Sequence, residues 1–402
     1  MMSSASSALP PEYIAFGISS TYEMRQPESP FGDYNTSSFT PSNGWGHYAA
    51  ASHEQTAWNP WNSDGTRSKY VGGGQWNNSY GQDAGVWYDS STTPYTKYGP
   101  ANNNFSSGQG GSAAYFSVPV GGDSNNYCFV VTNQFDTAGI YSSNTNAVSG
   151  QPSSLNAYVT SGSSGGDYLL VYSQENAKFN TGNGLILYDT SASNGVMSEI
   201  SAYTLPSNTG GLGRTLFGCD FSPNMDEFAI VYKTTSQSKP HMHIFDNLSD
   251  ISGGPSHTIP LYISGDPSTA PGYACEFGTV RYSWDGRYVA YGIGETTSGW
   301  TFSYQYPPAM VGVIDRNNSN SNTRLTCITS NAGYYIGSLG WNHNARWKGI
   351  DWYPDNETLV LAGYSQHHDQ IVNWVSDTQI YNFTGTSNDP GSAYGVFVKA
   401  QE

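Results

Sequence analysis

Short apolar strands separated by polar turns recur along this chain. Residues 280–294, VRYSWDGRYVAYGIG, place an apolar strand, an Asp285-Gly286 turn and a second apolar strand in immediate succession. Glycine readily takes the positive φ of a tight turn, so Asp-Gly between two apolar stretches is a strong signal of a β-hairpin. We therefore predict an antiparallel hairpin here and assign Asp285 to the turn.

The same order of strand, turn and strand occurs twice more. Residues 221–232 (FSPNMDEFAIVY) and 352–361 (WYPDNETLVL) repeat it, and Asp226 and Asp355 are likewise expected to serve the turns. Aligning Pro223, Trp284 and Pro354 gives steps of 61 and 70 residues. Irregular steps around a fixed pattern are typical of loop insertions into a repeated unit of several short strands.

The third strand of each unit is predicted from a further apolar stretch. These stretches centre on six residues: Tyr88, Tyr141, Tyr188, Phe245, Ile314 and Phe397. Nothing follows residues 394–399 to pair with them, and residues 12–17 (EYIAFG) are expected to supply the missing strand, because an unpaired strand edge promotes aggregation. Six units are favoured, with seven as the alternative if residues 379–381 belong to a unit of their own.

These repeats resemble those of WD-repeat and TolB-type β-propellers, most clearly over residues 165–365. The stretches FSPNMDEFAIVY and YSWDGRYVAYGIG carry the likeness, whereas the Gly-His and Trp-Asp dipeptides of WD repeats are missing as a regular set. The resemblance implies an all-β propeller of six blades, or seven, closed by pairing of the N-terminal strand with the C-terminal blade. We expect one domain over 1–402, with long Asn-, Gly- and Tyr-rich loops in 18–125 and 364–393.

The net charge and the apolar content of the sequence limit the classes of binding partner that are expected. The chain has 15 Lys and Arg residues against 31 Asp and Glu residues, a formal net charge of −16. Such a surface repels phosphate backbones, so a nucleic-acid partner is not expected. No apolar run approaches the length of a membrane span, and no Lys or Arg precedes Arg25, so neither membrane insertion nor a secretory signal is expected.

Three charged residues align across successive units. Asp220, Arg281 and Asp351 each lie two residues before the equivalent position of their hairpin. Because the first strand of a blade borders the central channel, they are predicted to form a ring of alternating charge there. An ion-pair network between blades is favoured over a ligand site, and both interpretations remain open.

No other group of residues indicates chemistry, and neither a metal nor a cofactor is expected. His241 and His243 share one face of a strand without a specified third ligand, and His367, His368 and Asp369 have the same weakness. The four cysteines, Cys128, Cys219, Cys275 and Cys327, lie far apart without a CxxC motif and are expected to be reduced. Motifs of nucleotide-binding, serine-hydrolase and zinc-protease sites are absent from the sequence.

The composition favours a non-catalytic structural or adhesive protein. Aromatic, Asn, Ser and Gly residues provide contact area and adaptable hydrogen bonds. The low Lys content with abundant Asn, Ser, Thr, Gly and Tyr resembles bacteriophage virion proteins, which implies a tail, fibre or capsid-decoration component at the virion or extracellular surface. Expected partners are other virion or assembly subunits, in a symmetric multi-copy assembly, and host-surface glycans. The alternative is a secreted or surface lectin or a propeller glycoside hydrolase.

Overall fold

The computed structural model of this 402-residue chain describes strands β1 to β27 and some of the residues between them. The described connecting residues are 191, 197, 205, 222–224, 226–227, 246–256, 261, 283–287, 316–320, 325–327, 353–357 and 374–377. Within these parts of the chain, no helix is long and apolar enough to cross a membrane.

The described strands form seven antiparallel sheets, numbered here in chain order. Sheet 1 contains β27 (Ala393–Ala400), β1 (Pro11–Ile18), β2 (Tyr22–Pro27) and β3 (Tyr34–Phe39); sheet 2 contains β4 (Ala57–Trp58), β5 (Lys69–Gly73), β6 (Gly85–Asp89) and β7 (Thr96–Tyr98); sheet 3 contains β8 (Gly110–Phe116), β9 (Cys128–Asn133) and β10 (Gly139–Ser142). Sheet 4 contains β11 (Ala157–Gly162), β12 (Tyr168–Ser173), β13 (Gly184–Asp189) and β14 (Ser198–Thr204); sheet 5 contains β15 (Leu216–Phe221), β16 (Phe228–Tyr232), β17 (His241–Phe245) and β18 (His257–Pro260). Sheet 6 contains β19 (Cys275–Tyr282), β20 (Tyr288–Glu295), β21 (Ala309–Asp315) and β22 (Ser321–Arg324); sheet 7 contains β23 (Arg346–Trp352), β24 (Thr358–Tyr364), β25 (Gln370–Asn373) and β26 (Thr378–Asn382).

Sheets 3 to 7, followed by sheet 1, contact one another in that order through their first strands. β8 contacts β11, β11 contacts β15, and the series continues through β19 and β23 to β27. Buried apolar clusters fill the spaces between sheets: one joins sheets 4 and 5, a second joins sheets 5 and 6, and a third joins sheets 6 and 7. A further cluster in sheet 7 includes Val398 of β27. A sheet that is covered on both faces by its neighbours accounts for fully buried strands such as β16.

The hairpin turns predicted from the repeats are present in sheets 5, 6 and 7. Gly286 has a φ of +73°, and Asn356, at the equivalent position of the next turn, has a φ of +57°. Glycine and asparagine are the residues that adopt this region most readily. The Asp285 carboxylate accepts hydrogen bonds from the Ser283 hydroxyl (2.6 Å) and from the Arg287 backbone N–H (3.0 Å), which confirms its turn role.

Most predicted third strands are confirmed. Five of the six central residues lie in third strands, namely Tyr88 in β6, Tyr141 in β10, Tyr188 in β13, Phe245 in β17 and Ile314 in β21. The sixth prediction is wrong, because Phe397 lies in β27, which occupies the first position of sheet 1, with β1 second. Residues 379–381 lie in the fourth strand of sheet 7 and begin no unit of their own.

The sequence favours six units, whereas the described strands form seven sheets. The difference arises because the third strands of sheets 1 and 7, β2 and β25, have weak sequence signals. β25 is only four residues long, and β2 (YEMRQP) has no alternating apolar pattern. Both are recognisable only from their neighbours in the sheet, since periodicity is the main strand signal in a sequence. Residues 12–17 do lie beside the C-terminal strand, with Ile14 opposite Val398.

The two ranges expected to hold long loops also contribute strands. The range 18–125 contains β2 to β8, and the range 364–393 contains β25 and β26. The connecting segments of both ranges fall mostly outside the described residues, so their expected loop character stays a prediction.

Gly312 gives the first test of the packing within a blade. A Cβ atom at Gly312 would lie 2.4 Å from the Tyr291 hydroxyl oxygen, and Tyr291 is fully buried on the adjacent strand. We expect Gly312→Ala to lower the free energy of unfolding by about 1–3 kcal/mol, because the core must shift to accept the methyl group.

Denaturant unfolding measures this change, and Gly253→Ala is the matched control because no atom lies within 4 Å of its added Cβ. Gly312→Ala should cost less in a Tyr291→Leu background than in the wild type, since the clashing ring is then absent. Equal stability of Gly312→Ala and Gly253→Ala would contradict this packing.

Candidate functional site

The three aligned charged residues occupy equivalent positions on contacting strands. Asp220 lies on β15, Arg281 on β19 and Asp351 on β23, each one residue before the end of its strand. These are the first strands of sheets 5, 6 and 7, which contact one another in that order. Ligand binding by these three residues remains one of the two interpretations predicted from the sequence.

Asp220 joins sheet 5 to sheet 6 through two contacts. Its Oδ2 accepts the backbone N–H of Tyr282 at 2.8 Å, and its Oδ1 lies 3.4 Å from the Arg281 guanidinium nitrogen Nη1. The Arg281 and Asp220 side chains are only 20% and 14% exposed, so this ion pair is shielded from most of the solvent. Partial burial makes such a pair costly to break on one side alone.

Burial raises the pKa of the Asp220 carboxyl to about 6. Arg281 and the backbone N–H groups of Tyr282 and Phe221 lower this pKa, whereas the negative charge of Asp351 raises it. Desolvation is the largest of these effects. The carboxylate therefore gains a proton in mildly acidic solution.

Asp351 makes an equivalent junction one blade further on. Its Oδ2 accepts the backbone N–H of Val398 in β27 at 2.7 Å, and its Oδ1 accepts the backbone N–H of Trp352 at 2.9 Å. Asp220 and Asp351 thus each receive a backbone N–H from the first strand of the following sheet. Because both carboxylates bind the next sheet, the structure favours the interpretation of the aligned charged residues as connections between blades.

The raised pKa of Asp220 predicts how the stability of the fold changes with pH. Because the folded-state pKa lies above the unfolded value of about 3.8, the folded state binds more protons between pH 4 and pH 6. The contribution of Asp220 to stability is present in full below pH 3.8 and decreases as the pH rises through 6. Relative to Asp220→Asn, the wild type should lose at most about 3 kcal/mol of unfolding free energy across this range.

Denaturant unfolding at several pH values measures this difference, and Asp226→Asn, on the exposed turn of the same sheet, is the control. The wild type and Asp226→Asn should share one pH profile between pH 4 and pH 7, and Asp220→Asn should have a flatter one. Parallel profiles for all three proteins would refute the raised pKa.

Sequence reasoning missed a second junction between sheets 5 and 6. Glu227 accepts hydrogen bonds from the Tyr282 hydroxyl (2.9 Å) and from Arg316 Nε (2.8 Å), and Arg316 Nη2 completes a bidentate ion pair. Burial, followed by the Glu227 charge, raises the pKa of Tyr282 well above its ordinary value. Because Arg316 lies 89 residues after Glu227, no local sequence pattern links them.

Two tryptophans join sheets 6 and 7 in a reciprocal way. Trp284 donates its indole N–H to the Trp352 carbonyl at 2.9 Å, and Trp352 donates its own to the Arg281 carbonyl at 3.0 Å. The Tyr288 ring stacks on Trp352 with the ring centres 6.2 Å apart. Repeat alignment placed these residues correctly but gave no signal for their mutual hydrogen bonds.

The other candidate groups lie in or beside the same blades. His241 and His243 lie on β17, and no group of three His, Cys, Asp or Glu residues in the described part of the chain could hold a metal ion. Cys219 is buried and Cys327 is half-buried, and neither forms a disulfide within the described part of the chain. His367, His368 and Asp369, together with the side chains of Cys128 and Cys275, lie outside the residues that the structure describes.

Comparison of this chain with known proteins finds proteins that are similar in structure but not in sequence. No family model and no curated protein matches the sequence. Hydrazine synthase of Kuenenia stuttgartiensis is similar in structure, with a TM-score of 0.51 and 13% identity over 81% of this chain and 77% of that one. A nidogen/laminin complex matches with a TM-score of 0.46 and 6% identity over 96% and 97%, and the Cps50 (Swd1) β-propeller domain of Myceliophteria thermophila with 0.45 and 10% over 81% and 86%.

Structural similarity at sequence identities this low indicates a shared fold and nothing about function. The described strands form antiparallel sheets, mostly four-stranded, and the first strands of sheets 3 to 7 and then sheet 1 contact one another in order. Apolar clusters fill the spaces between them. The chain has an all-β, β-propeller fold.

Proposed function

We propose that this protein is a non-catalytic β-propeller of seven blades whose role is structural or adhesive. The observation that carries the proposal is the use of the aligned acidic side chains at the candidate channel. Asp220 and Asp351 accept backbone N–H groups from the following sheet, and Asp220 also pairs with Arg281. Their polar atoms hold blades together, as expected of a rigid scaffold that presents loops to a partner.

In the proposed ring, sheet 1 is the blade that both ends of the chain share. The antiparallel pairing of β1 with β27 supports this closure, since it joins residues nearly 400 positions apart in one sheet. A closed ring leaves no first or last blade with an uncovered face.

The proposed setting is the surface of a bacteriophage virion, as a tail, fibre or capsid-decoration component. The support is compositional: a formal net charge of −16, only 15 Lys and Arg residues, and 31 Tyr and 46 Gly residues. Aromatic side chains contribute large contact areas at interfaces between subunits. The proposed partners are other virion or assembly subunits and host-surface glycans, bound without enzymatic turnover.

Quantitative mass spectrometry of purified particles tests the setting. The chain should occur in particles at a fixed number of copies that remains after washing with high salt. Recovery of the chain only in the particle-free fraction would overturn the virion proposal.

A glycan array on the purified protein, followed by analysis of the bound sugars, tests the non-catalytic role. Bound glycans should be recovered intact, and folded Asp351→Asn should bind them as well as the wild type, because Asp351 connects blades. Cleavage of the glycans that is lost in Asp351→Asn would instead identify a propeller glycoside hydrolase.

A further inference from the structure

One strand pairing in sheet 1 joins parts of the chain that are far apart in sequence. The order β27-β1-β2-β3 places residues 393–400 beside residues 11–18, whereas β1, β2 and β3 follow one another within residues 11–39. In the other six sheets, every pair of neighbouring strands is consecutive in the sequence. Sheet 1 is therefore completed by a strand that no short turn links to its neighbour.

The place that β27 occupies is built entirely from other strands. One side of it is the edge of β1, and the other side is sheet 7, where β27 contacts β23 and β24. The Val398 side chain is fully buried there with Tyr353 and Ile371, and Asp351 Oδ2 accepts the Val398 backbone N–H at 2.7 Å. Because none of these partners belongs to β27, each copy of the chain offers the same place to the β27 of another copy.

The register of β27 in this place is fixed by its contacts. Seven residues of β1 pair with β27, and the ladder is irregular near each of its ends. Irregularities of this kind fix the register of a strand pairing, and the hydrogen bond from Val398 to Asp351 adds a further fixed point. A β27 strand from a second copy would therefore form the same contacts in the same register.

The connection that leads into β27 is long enough for the strand to reach another copy. β26 ends at Asn382 and β27 begins at Ala393, so ten residues join the two strands. A segment of this length spans at most about 33–36 Å when it is extended. This reach is about three times the spacing of packed sheets, which is roughly 10 Å.

Exchange of β27 replaces each of its contacts with an identical contact to another copy. The balance between the two forms therefore depends on concentration, because no new contact is needed. A short flexible connection gives its strand an effective concentration of about the millimolar range. Exchange therefore competes only where copies are crowded, as they are in a multi-copy assembly.

We propose that β27 is exchanged reciprocally between two copies of this chain, so that the β27 of each copy completes sheet 1 of the other. This proposal deepens the structural role and rests on the closed ring proposed above. The partner is a second copy, and the contact surface is the edge of β1 together with the sheet 7 cluster that contains Tyr353 and Ile371. Exchange links two subunits while it leaves neither β1 edge unpaired.

Refolding of two cysteine variants together tests the exchange. Ala15 lies opposite Phe397, so Ala15→Cys chains and Phe397→Cys chains are unfolded, mixed at high concentration, refolded and mildly oxidised. We expect a disulfide-linked species of twice the chain mass, in which peptide mass spectrometry finds the two substituted positions joined. Its share should fall several-fold when the same mixture is refolded in dilute solution. A mixture of Ala15→Cys with Val396→Cys is the matched control, because Val396 pairs with Phe16.

The possible outcomes separate strand exchange from closure of the ring. A disulfide between chains in the Phe397→Cys mixture, but not in the Val396→Cys mixture, supports exchange. Its absence at every concentration overturns exchange, and a disulfide within single chains of the double variant Ala15→Cys/Phe397→Cys then supports the closed ring alone. No disulfide in the mixture or in the double variant, with folded chains, overturns both. If a cysteine variant fails to fold, size-exclusion chromatography of the refolded wild type decides: a dimer that persists on dilution supports exchange, and a monomer alone overturns it.

Discussion

Removing residues 393–402, and with them β27, is expected to abolish cooperative folding of the chain. β27 pairs with β1 in sheet 1 and contacts β23 and β24 of sheet 7. Val398 is fully buried with Tyr353 and Ile371, and its backbone N–H is bound by Asp351. Truncation would expose one edge of β1, open this apolar cluster and leave the Asp351 carboxylate without that N–H.

Circular dichroism during heating, combined with the soluble yield, measures the effect of this truncation. A chain that lacks only residues 401–402 retains all of β27 and should unfold like the full-length protein. A cooperative transition at the same midpoint in both truncated chains would show that the C-terminal strand does not hold the fold together.

Replacing Trp352 by alanine should cause the largest loss from a single substitution, about 3–5 kcal/mol of unfolding free energy. Trp352 is among the largest fully buried side chains and packs between sheets 6 and 7. Its removal leaves a cavity and also leaves the Arg281 carbonyl without the indole N–H.

Two further variants grade the size of the loss. Trp352→Phe removes the indole N–H and has three fewer ring atoms, so it leaves a smaller cavity than Trp352→Ala and should lose less unfolding free energy. Trp284→Phe removes the reciprocal hydrogen bond from a half-buried ring and should cost less than Trp352→Ala. Equal losses in denaturant unfolding for Trp352→Ala and Trp284→Phe would contradict the central packing role of Trp352.

Local patterns in the sequence were sufficient to predict the hairpins and most third strands. Asp285-Gly286 and Pro354-Asp355 encode their turns within a few residues, so the predictions needed no knowledge of the rest of the chain. The C-terminal strand was given the wrong position within its sheet, because an apolar stretch does not reveal whether it comes first or third. That position depends on contacts with β23 and β1, which are remote in sequence.

The candidate site was predictable only in part for the same reason. Alignment of the repeats placed Asp220 and Arg281 at equivalent positions, and the structure brings them together. The backbone groups that bind Asp220 and Asp351, and the Glu227–Arg316 pair, depend on the register between neighbouring blades. The spacing of residues within a single repeat does not determine how neighbouring blades are aligned.

Cross-linking between the two chain ends tests the closed propeller most directly. Ala15 lies opposite Phe397 in the β1–β27 pairing, so cysteines in Ala15→Cys/Phe397→Cys should form a disulfide under mild oxidation, detected by peptide mass spectrometry. Val396 is paired with Phe16 and not with Ala15, so Ala15→Cys/Val396→Cys should remain reduced. A disulfide in the first variant only is the result expected from the closed ring; no disulfide in either variant, with both proteins folded, would contradict it.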